Sequence, residues 1–375
     1  MANLTTMLEE LQTIAAYPRT MLDRYLRNGK KVVGCFPIYS AEELVHAAGM
    51  IPMGIWGGQV NPARAGQYVP IFICSIMRSC LEFGMLDKYK GLSAVIMPIL
   101  CDTFRGMSGA WRVGVKDIPL IGLIQPQNRD VEGAKEFLAA EYNAVKAKLE
   151  EIAGHPITDE AINASIAVYN AHSAAMREFA EVANDHLDII TPKVRHAVMK
   201  SAHFMEKTAH TEIINKIVAE LKALPAHHWQ GKKVILTGIT AEPEDLLGIL
   251  AENNIAVVGD DLAQESRQYR TAIPTGCGSP LECLAQQWLD RRACSTVHEV
   301  NNTRGSLLVD LVKQYRADGV IVCLMSFCDV EEYEYPMLAK HLEEAGIPTL
   351  CLDIDQSTEN SGQSRTKIQT FVEMV

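Results

Sequence analysis

The stretch VIMPILCDTFRG, residues 95–106, runs an apolar segment abruptly into Cys101-Asp102. Much later VIVCLMSFCDVEE, residues 320–332, does nearly the same and ends in Cys328-Asp329. Segments that are apolar throughout, with no alternation, suit strands buried on both faces of a parallel sheet. Two such strands with one ending point to a repeated unit.

Working outward, strand-length apolar runs recur with helix-like segments between them. The first half holds VVGCFPIY (32–39), IPMGIW (51–56), AVIMPIL (94–100) and IPLIGLI (118–124). The second half holds VILTGIT (234–240), IAVVG (255–259), VIVCLM (320–325) and IPTLCLDI (347–354). Each half opens on Gly-Lys-Lys followed by two apolar residues, at Gly29 and Gly231, and each first strand precedes a helix with an acidic first turn. Cys101 stands 17 residues before Ile118-Pro119, and Cys328 stands 19 before Ile347-Pro348. Strands alternating with helices form α/β units. The expected fold class is α/β, with two similar doubly wound parallel-sheet domains joined by a helical block. Residues 1–130 form the N-terminal α/β domain, 131–228 the helical block and 229–375 the C-terminal α/β domain. In the block one helix stops at Gly154-His155-Pro156, a second starts on the cap Thr158, and a third runs from Pro192 towards Lys222.

A net charge of −11 with no basic cluster excludes nucleic acid as a main partner. No apolar run approaches the roughly 20 residues a membrane helix needs. The N-terminus reads as an amphipathic helix without the basic and apolar regions of a signal peptide, so a cytoplasmic location is expected. In that setting the ten cysteines are seldom disulfides; they are core residues or ligands.

Ligands of open parallel sheets bind beyond the carboxyl ends of the strands, where both Cys101 and Cys328 fall. Cys74, in YVPIFICSIMRSC, falls at the N-terminus of a helix, a position that favours thiolate. The three lack the paired spacing of a zinc ribbon. Three thiolates around a cleft suit an iron–sulfur cluster with one iron free of protein ligand; equally, all three are small buried residues at element ends. Cys35, Cys323 and Cys351 lie within strands and read as core. Cys80 follows on the Cys74 helix and faces either way, Cys277 in PTGCGSPLECL is the strongest rival ligand, and Cys283 and Cys294 look incidental. The histidines read as surface residues.

FICSIMRSC, PILCDT, DDLAQESRQ and FCDVEEYEYP resemble segments of the β subunits of 2-hydroxyacyl-CoA dehydratases, relatives of benzoyl-CoA reductase subunits. So do the opening GCFPIYSAEELVHAAGMIPMGIWGGQ and the closing segment 355–374. The resemblance implies one [4Fe-4S] cluster per chain, held by Cys74, Cys101 and Cys328. It implies an α-subunit partner that binds most of the acyl-CoA substrate, and a separate iron–sulfur activator that consumes ATP, with no ATP bound by this chain. It implies an oxygen-sensitive hydro-lyase in which a ketyl radical of the thioester expels water to give 2-enoyl-CoA, the β-type cluster relaying or storing the electron. The alternative is an electron-transfer or scaffold subunit of a related reductase.

Other polar groups have plainer readings beside functional ones. Ser40-Ala41-Glu42-Glu43 fits a capping box. Asp260, Asp261, Glu265 and Arg267 line the cleft, or form a helix cap and an ion pair. Asp102 and Asp329 cap the turns that present their cysteines, or tune a cluster through hydrogen bonds to its ligands.

Overall fold

The computed structural model describes residues 2–356 and 361–375, so residues 357–360 of the closing segment lie outside it. The first α/β unit runs α1 (Ala2–Ala16), α2 (Arg19–Arg27), β1 (Val32–Cys35), α3 (Glu42–Ala47), β2 (Ile51–Gly54), α4 (Ser75–Met85), β3 (Ala94–Pro98), α5 (Asp102–Gly114) and β4 (Leu120–Leu123). Four helices follow: α6 (Ala134–Ala153), α7 (Asp159–Ala183), α8 (Pro192–Ser201) and α9 (Lys207–Lys222). The second unit runs β5 (Lys232–Gly238), α10 (Glu244–Glu252), β6 (Ile255–Leu262), α11 (Pro280–Asp290), α12 (Arg304–Tyr315), β7 (Gly319–Met325), α13 (Asp329–Glu344), β8 (Thr349–Ile354) and α14 (Ser361–Met374).

The two sheets have the same topology. The orders are β2-β1-β3-β4 and β6-β5-β7-β8, parallel throughout. Strands β1 and β3 are buried at every residue, as their unbroken apolar runs require, and β6 is buried throughout although it carries Asp260 and Asp261. In the second sheet, Val234, Leu236, Ile321 and Cys323 enter one core, whereas Ile235, Val320 and Val322 enter the other. Alternate residues therefore face opposite layers, and helices cover both faces. In the first sheet Gly34 lets β1 approach β3: a Cβ there would lie 2.8 Å from Val95 Cγ1.

Capping sets the helix starts. The Thr158 side chain accepts from the Ala161 amide, and Thr191 with Pro192 opens α8. The single helix expected from Pro192 to Lys222 is two. Glu206 caps a new start by accepting from the Ala209 amide, and Tyr25 ties the break by donating to Phe204 O and accepting from the Glu206 amide. Helix α1 packs on α8 and α9, and one apolar core runs from the first sheet through the helical block.

In both sheets the strand order reverses beside the first strand, between β1 and β3 and between β5 and β7. These are the switch points where loops part and open a crevice. The segments after β3 and β7 carry Cys101 and Cys328.

Candidate metal centre

Three helices start on cysteines. Cys74 is the N-cap of α4, Cys101 of α5 and Cys328 of α13. All three line one cavity, with about 50 Å³ open to water centres. The rest of its wall is almost wholly apolar and comes from both α/β units, including Ile76, Leu100 and Phe104 from one and Ile239, Ala263 and Met325 from the other. Thus three sequence-distant thiols meet where the two switch points face each other.

Burial pushes the Cys74 thiol up to about 12 and raises those of Cys101 and Cys328. Amides of the first helical turn pull the other way: Met77 at Cys74, Phe104 and Thr103 at Cys101, Glu331 at Cys328. None closes a full capping hydrogen bond to its sulfur. Such a site keeps its thiols neutral when empty and favours thiolates once a cation compensates them. Among the described residues no three His, Cys, Asp or Glu side chains stand close enough to hold a single metal ion. A polynuclear cluster takes its thiolates on different irons, which demands a wider ligand set than one ion does. The donor chemistry and apolar wall fit such a group, and a mononuclear zinc site is not what they form.

Asp102 and Asp329 are the first helical residues, since the N-cap in each case is the cysteine itself. Their negative charge sits in the first turn beside Cys101 and adds to the rise of its pKa.

The helix that carries Cys328 is held by a buried ion network. Arg304 donates from Nε to Asp261 (2.7 Å) and from Nη2 to Glu331 (2.9 Å) and Thr237 (2.8 Å). Arg267 donates twice to Asp261, at 3.0 and 2.9 Å, and reaches Glu331 at 3.4 Å. Ser295 donates to Glu331 at 2.5 Å. Burial alone would raise the Asp261 carboxyl, but the guanidiniums of Arg267, Arg304 and Arg270 outweigh it and hold it far below the usual range. Arg267 of GDDLAQESRQ is therefore an ion-pair partner inside the wall and does not line the cysteine cavity. Glu265 is paired with Arg195 (2.6 Å) and His196 (2.8 Å) and borders a different cavity.

Several expectations need correction. The capping box at Ser40 does not form: the Ser40 hydroxyl turns back to donate to Phe36 O, and Ala41, at φ 54°, is the N-cap. Glu42 and Glu43 are thereby free to face a cavity. Cys277, the rival ligand, is joined to Cys283 as a disulfide across one turn of loop and helix, Cα atoms 5.3 Å apart. Five histidines, His172, His186, His196, His203 and His210, are buried. Four of them, His172, His196, His203 and His210, have polar partners there, as in the chain His172–His210–Ser201 with both steps 3.0 Å. Cys294 is not incidental: it is buried beside Arg267, whose charge, with hydrogen bonds from Thr296 and Tyr39, outweighs burial and lowers its thiol. Cys35 and Cys323 are core, and Cys80 turns inward to join them. The roles of Arg304 and Glu331 escaped a motif reading, because an Arg one helix before a strand and a Glu three residues after a Cys carry no local signal.

A family model described as 2-hydroxyglutaryl-CoA dehydratase, D-component, matches residues 37–375. The chain is 43% identical over 377 residues to lactoyl-CoA dehydratase subunit beta of Anaerotignum propionicum, covering 100% of both. It is 41% identical to the (R)-phenyllactyl-CoA dehydratase beta subunit of Clostridium sporogenes, again over 100% of both. A benzoyl-CoA reductase subunit of Thauera aromatica is 27% identical, over 92% of this chain and 91% of its own length.

Proposed function

The chain belongs to the 2-hydroxyglutaryl-CoA dehydratase D-component family, and from that premise we propose that it is the β-type subunit of an oxygen-sensitive (R)-2-hydroxyacyl-CoA dehydratase. The single observation that carries the reading is the meeting of Cys74, Cys101 and Cys328, each at a helix N-terminus, in one apolar cavity. These three residues are the proposed ligands of one [4Fe-4S] cluster. When bound, the cluster supplies storage and relay of a single electron.

The chain's own residues prepare that role. The Cys thiols present sulfur from both α/β units, so the pocket is complete only when the domains are packed. Leu100, Phe104 and Met325 exclude water from the sulfurs, which strengthens local electrostatics. First-turn amides offset part of the thiolate charge, and the Arg304–Glu331 pair fixes the turn that presents Cys328. The overall reaction is loss of water from a 2-hydroxyacyl thioester to a 2-enoyl-CoA by way of a ketyl at the thioester carbonyl. The acyl-CoA sits mainly on an α-subunit partner, and a separate ATP-hydrolysing iron–sulfur activator provides the electron. The cytoplasm is the proposed compartment; among the described residues no helix is long and apolar enough to cross a membrane.

A second reading is an electron-transfer or scaffold subunit of a reductase without dehydration, supported by the likeness to the benzoyl-CoA reductase subunit. The higher identity to dehydratase β subunits favours the first.

Anaerobic purification tests the site. A brown protein with about four irons per chain is expected, and Cys→Ala at positions 74, 101 and 328 together removes the iron. Colourless, iron-free protein from a strictly anaerobic preparation overturns the cluster. Dehydration assays with partner, activator and ATP then separate the two readings.

A further inference from the structure

Beside the cysteine cavity lies a second one. Pro37 and Ile38, in the loop that leaves β1, line both, so this loop is a thin partition. The second cavity has about 80 Å³ open to water centres. At roughly 10–15 Å³ per water it has room for several waters or one small organic molecule.

Its charged wall is nearly all paired. Lys207 meets Glu42 at 3.1 Å, Tyr169 donates to the same carboxylate, and Glu265 is held by Arg195. Two donors are left over. Arg291 makes no ion pair among the described residues: it stacks on Tyr39, 3.7 Å from the ring centroid, and its one side-chain hydrogen bond goes to Arg267 O. Gln264 is 1% exposed, and its amide nitrogen has no hydrogen-bond partner among the described residues. Buried donors of this kind want an acceptor. Glu43 also lines the space, and burial raises the pKa of its carboxyl. A cationic donor and an unpaired amide on the wall of one cavity describe a receptor for a carboxylate.

We propose that this cavity binds a short free carboxylic acid as its anion, with the carboxylate accepting from Arg291 and Gln264. Trp56 lines the cavity on one side and, on the other, an open groove of about 650 Å³. Its ring packs against His203, centroids 5.0 Å apart, so Trp56 is the partition between them. A thioester carries no carboxylate at its acyl carbon and a short free acid does, so the free acid is the ligand that meets these donors. The assignment does not rest on the cluster.

The test is isothermal titration of the anaerobically isolated protein with sodium lactate, against sodium chloride at equal ionic strength. Saturable one-site binding with Kd roughly between micromolar and millimolar is expected. Arg291→Met weakens it by roughly 10- to 100-fold, the worth of a hydrogen bond to a charged group. Ser173→Leu, which fills the cavity from α7, abolishes it and keeps the proposal testable where the arginine variant does not fold. No saturable heat from folded protein, or binding indifferent to both variants, overturns the site. Saturable binding of lactoyl-CoA tighter than that of lactate, and lost with Ser173→Leu, overturns the free acid as ligand. Iron measured on the same samples separates this outcome from failure of the cluster reading.

Discussion

Arg304→Met attacks the network that positions α13. Arg304 is 1% exposed and spends its guanidinium on Asp261, Thr237, Glu331 and Glu334. Arg267, Arg270 and Arg304 balance Asp261, Glu331 and Glu334, three charges against three. Methionine keeps much of the volume but leaves one carboxylate uncompensated. Removing one partner of a buried pair costs about 3–5 kcal/mol, against a total stability of about 5–15. Glu334 is partly exposed and turns to water, and Glu331 keeps Ser295 at 2.5 Å and Arg267 at 3.4 Å. The expected loss is therefore at the lower end, about 3 kcal/mol. Adding Glu331→Gln removes the stranded charge, so the double variant is more stable than the sum of the singles by about 1–2 kcal/mol. Urea unfolding under anaerobic conditions, read as a fall in midpoint at constant slope, measures both. A loss below about 1 kcal/mol, the scale of a surface ion pair, or strict additivity would refute the reasoning.

Stability should peak near neutral pH. Burial holds His203 at about 4 and His210 at about 3, so below their unfolded value near 6.5 the unfolded chain takes up protons the fold refuses, and stability falls as pH drops towards 4. Burial opposes charge on His196 too, but the Glu242 carboxylate 3.6 Å from Nε2 and the hydrogen bond to Glu265 raise it to about 9. Its contribution is complete below about 6.5 and is lost as pH rises through 9, so thermal unfolding of His196→Gln should show a flattened alkaline limb. Of ten cysteines eight are free, so denatured, metal-free protein should titrate eight thiols before reduction and ten after. Ten beforehand would reject the Cys277–Cys283 pairing, whose short loop is worth about 2 kcal/mol. Gly34→Ala drives a Cβ to 2.8 Å from Val95 Cγ1 and 2.9 Å from Leu92 Cδ1, and should cost about 1–3 kcal/mol in the same urea assay.

The strands and the three ligand candidates were legible because their signals are local. Strands buried on both faces are mostly apolar, and β3 and β7 announce their ends where the apolar runs give way to Cys101-Asp102 and Cys328-Asp329. Cys74 was legible as a helix start. The break before α9 was not, because Glu206 is an uncommon cap and Tyr25, which ties it, is far away in sequence. Misread for the same reason were the histidines, whose burial is licensed by partners on other helices, and Ser40, whose hydroxyl chose a carbonyl behind it over the helix ahead.

The amino-acid order by itself determined the two sheets, their repeat and the placement of cysteines at strand and helix ends, since periodicity and end residues act over a few positions. Only the tertiary structure decided that Cys74, Cys101 and Cys328 face one apolar cavity, that Asp261 and Glu331 share their guanidiniums, and that in the neighbouring cavity, among the described residues, Arg291 has no ion pair and the Gln264 amide nitrogen no acceptor. Which buried charge finds a partner depends on groups brought together from the whole chain, and a polar side chain's role is set by what it is left facing after packing.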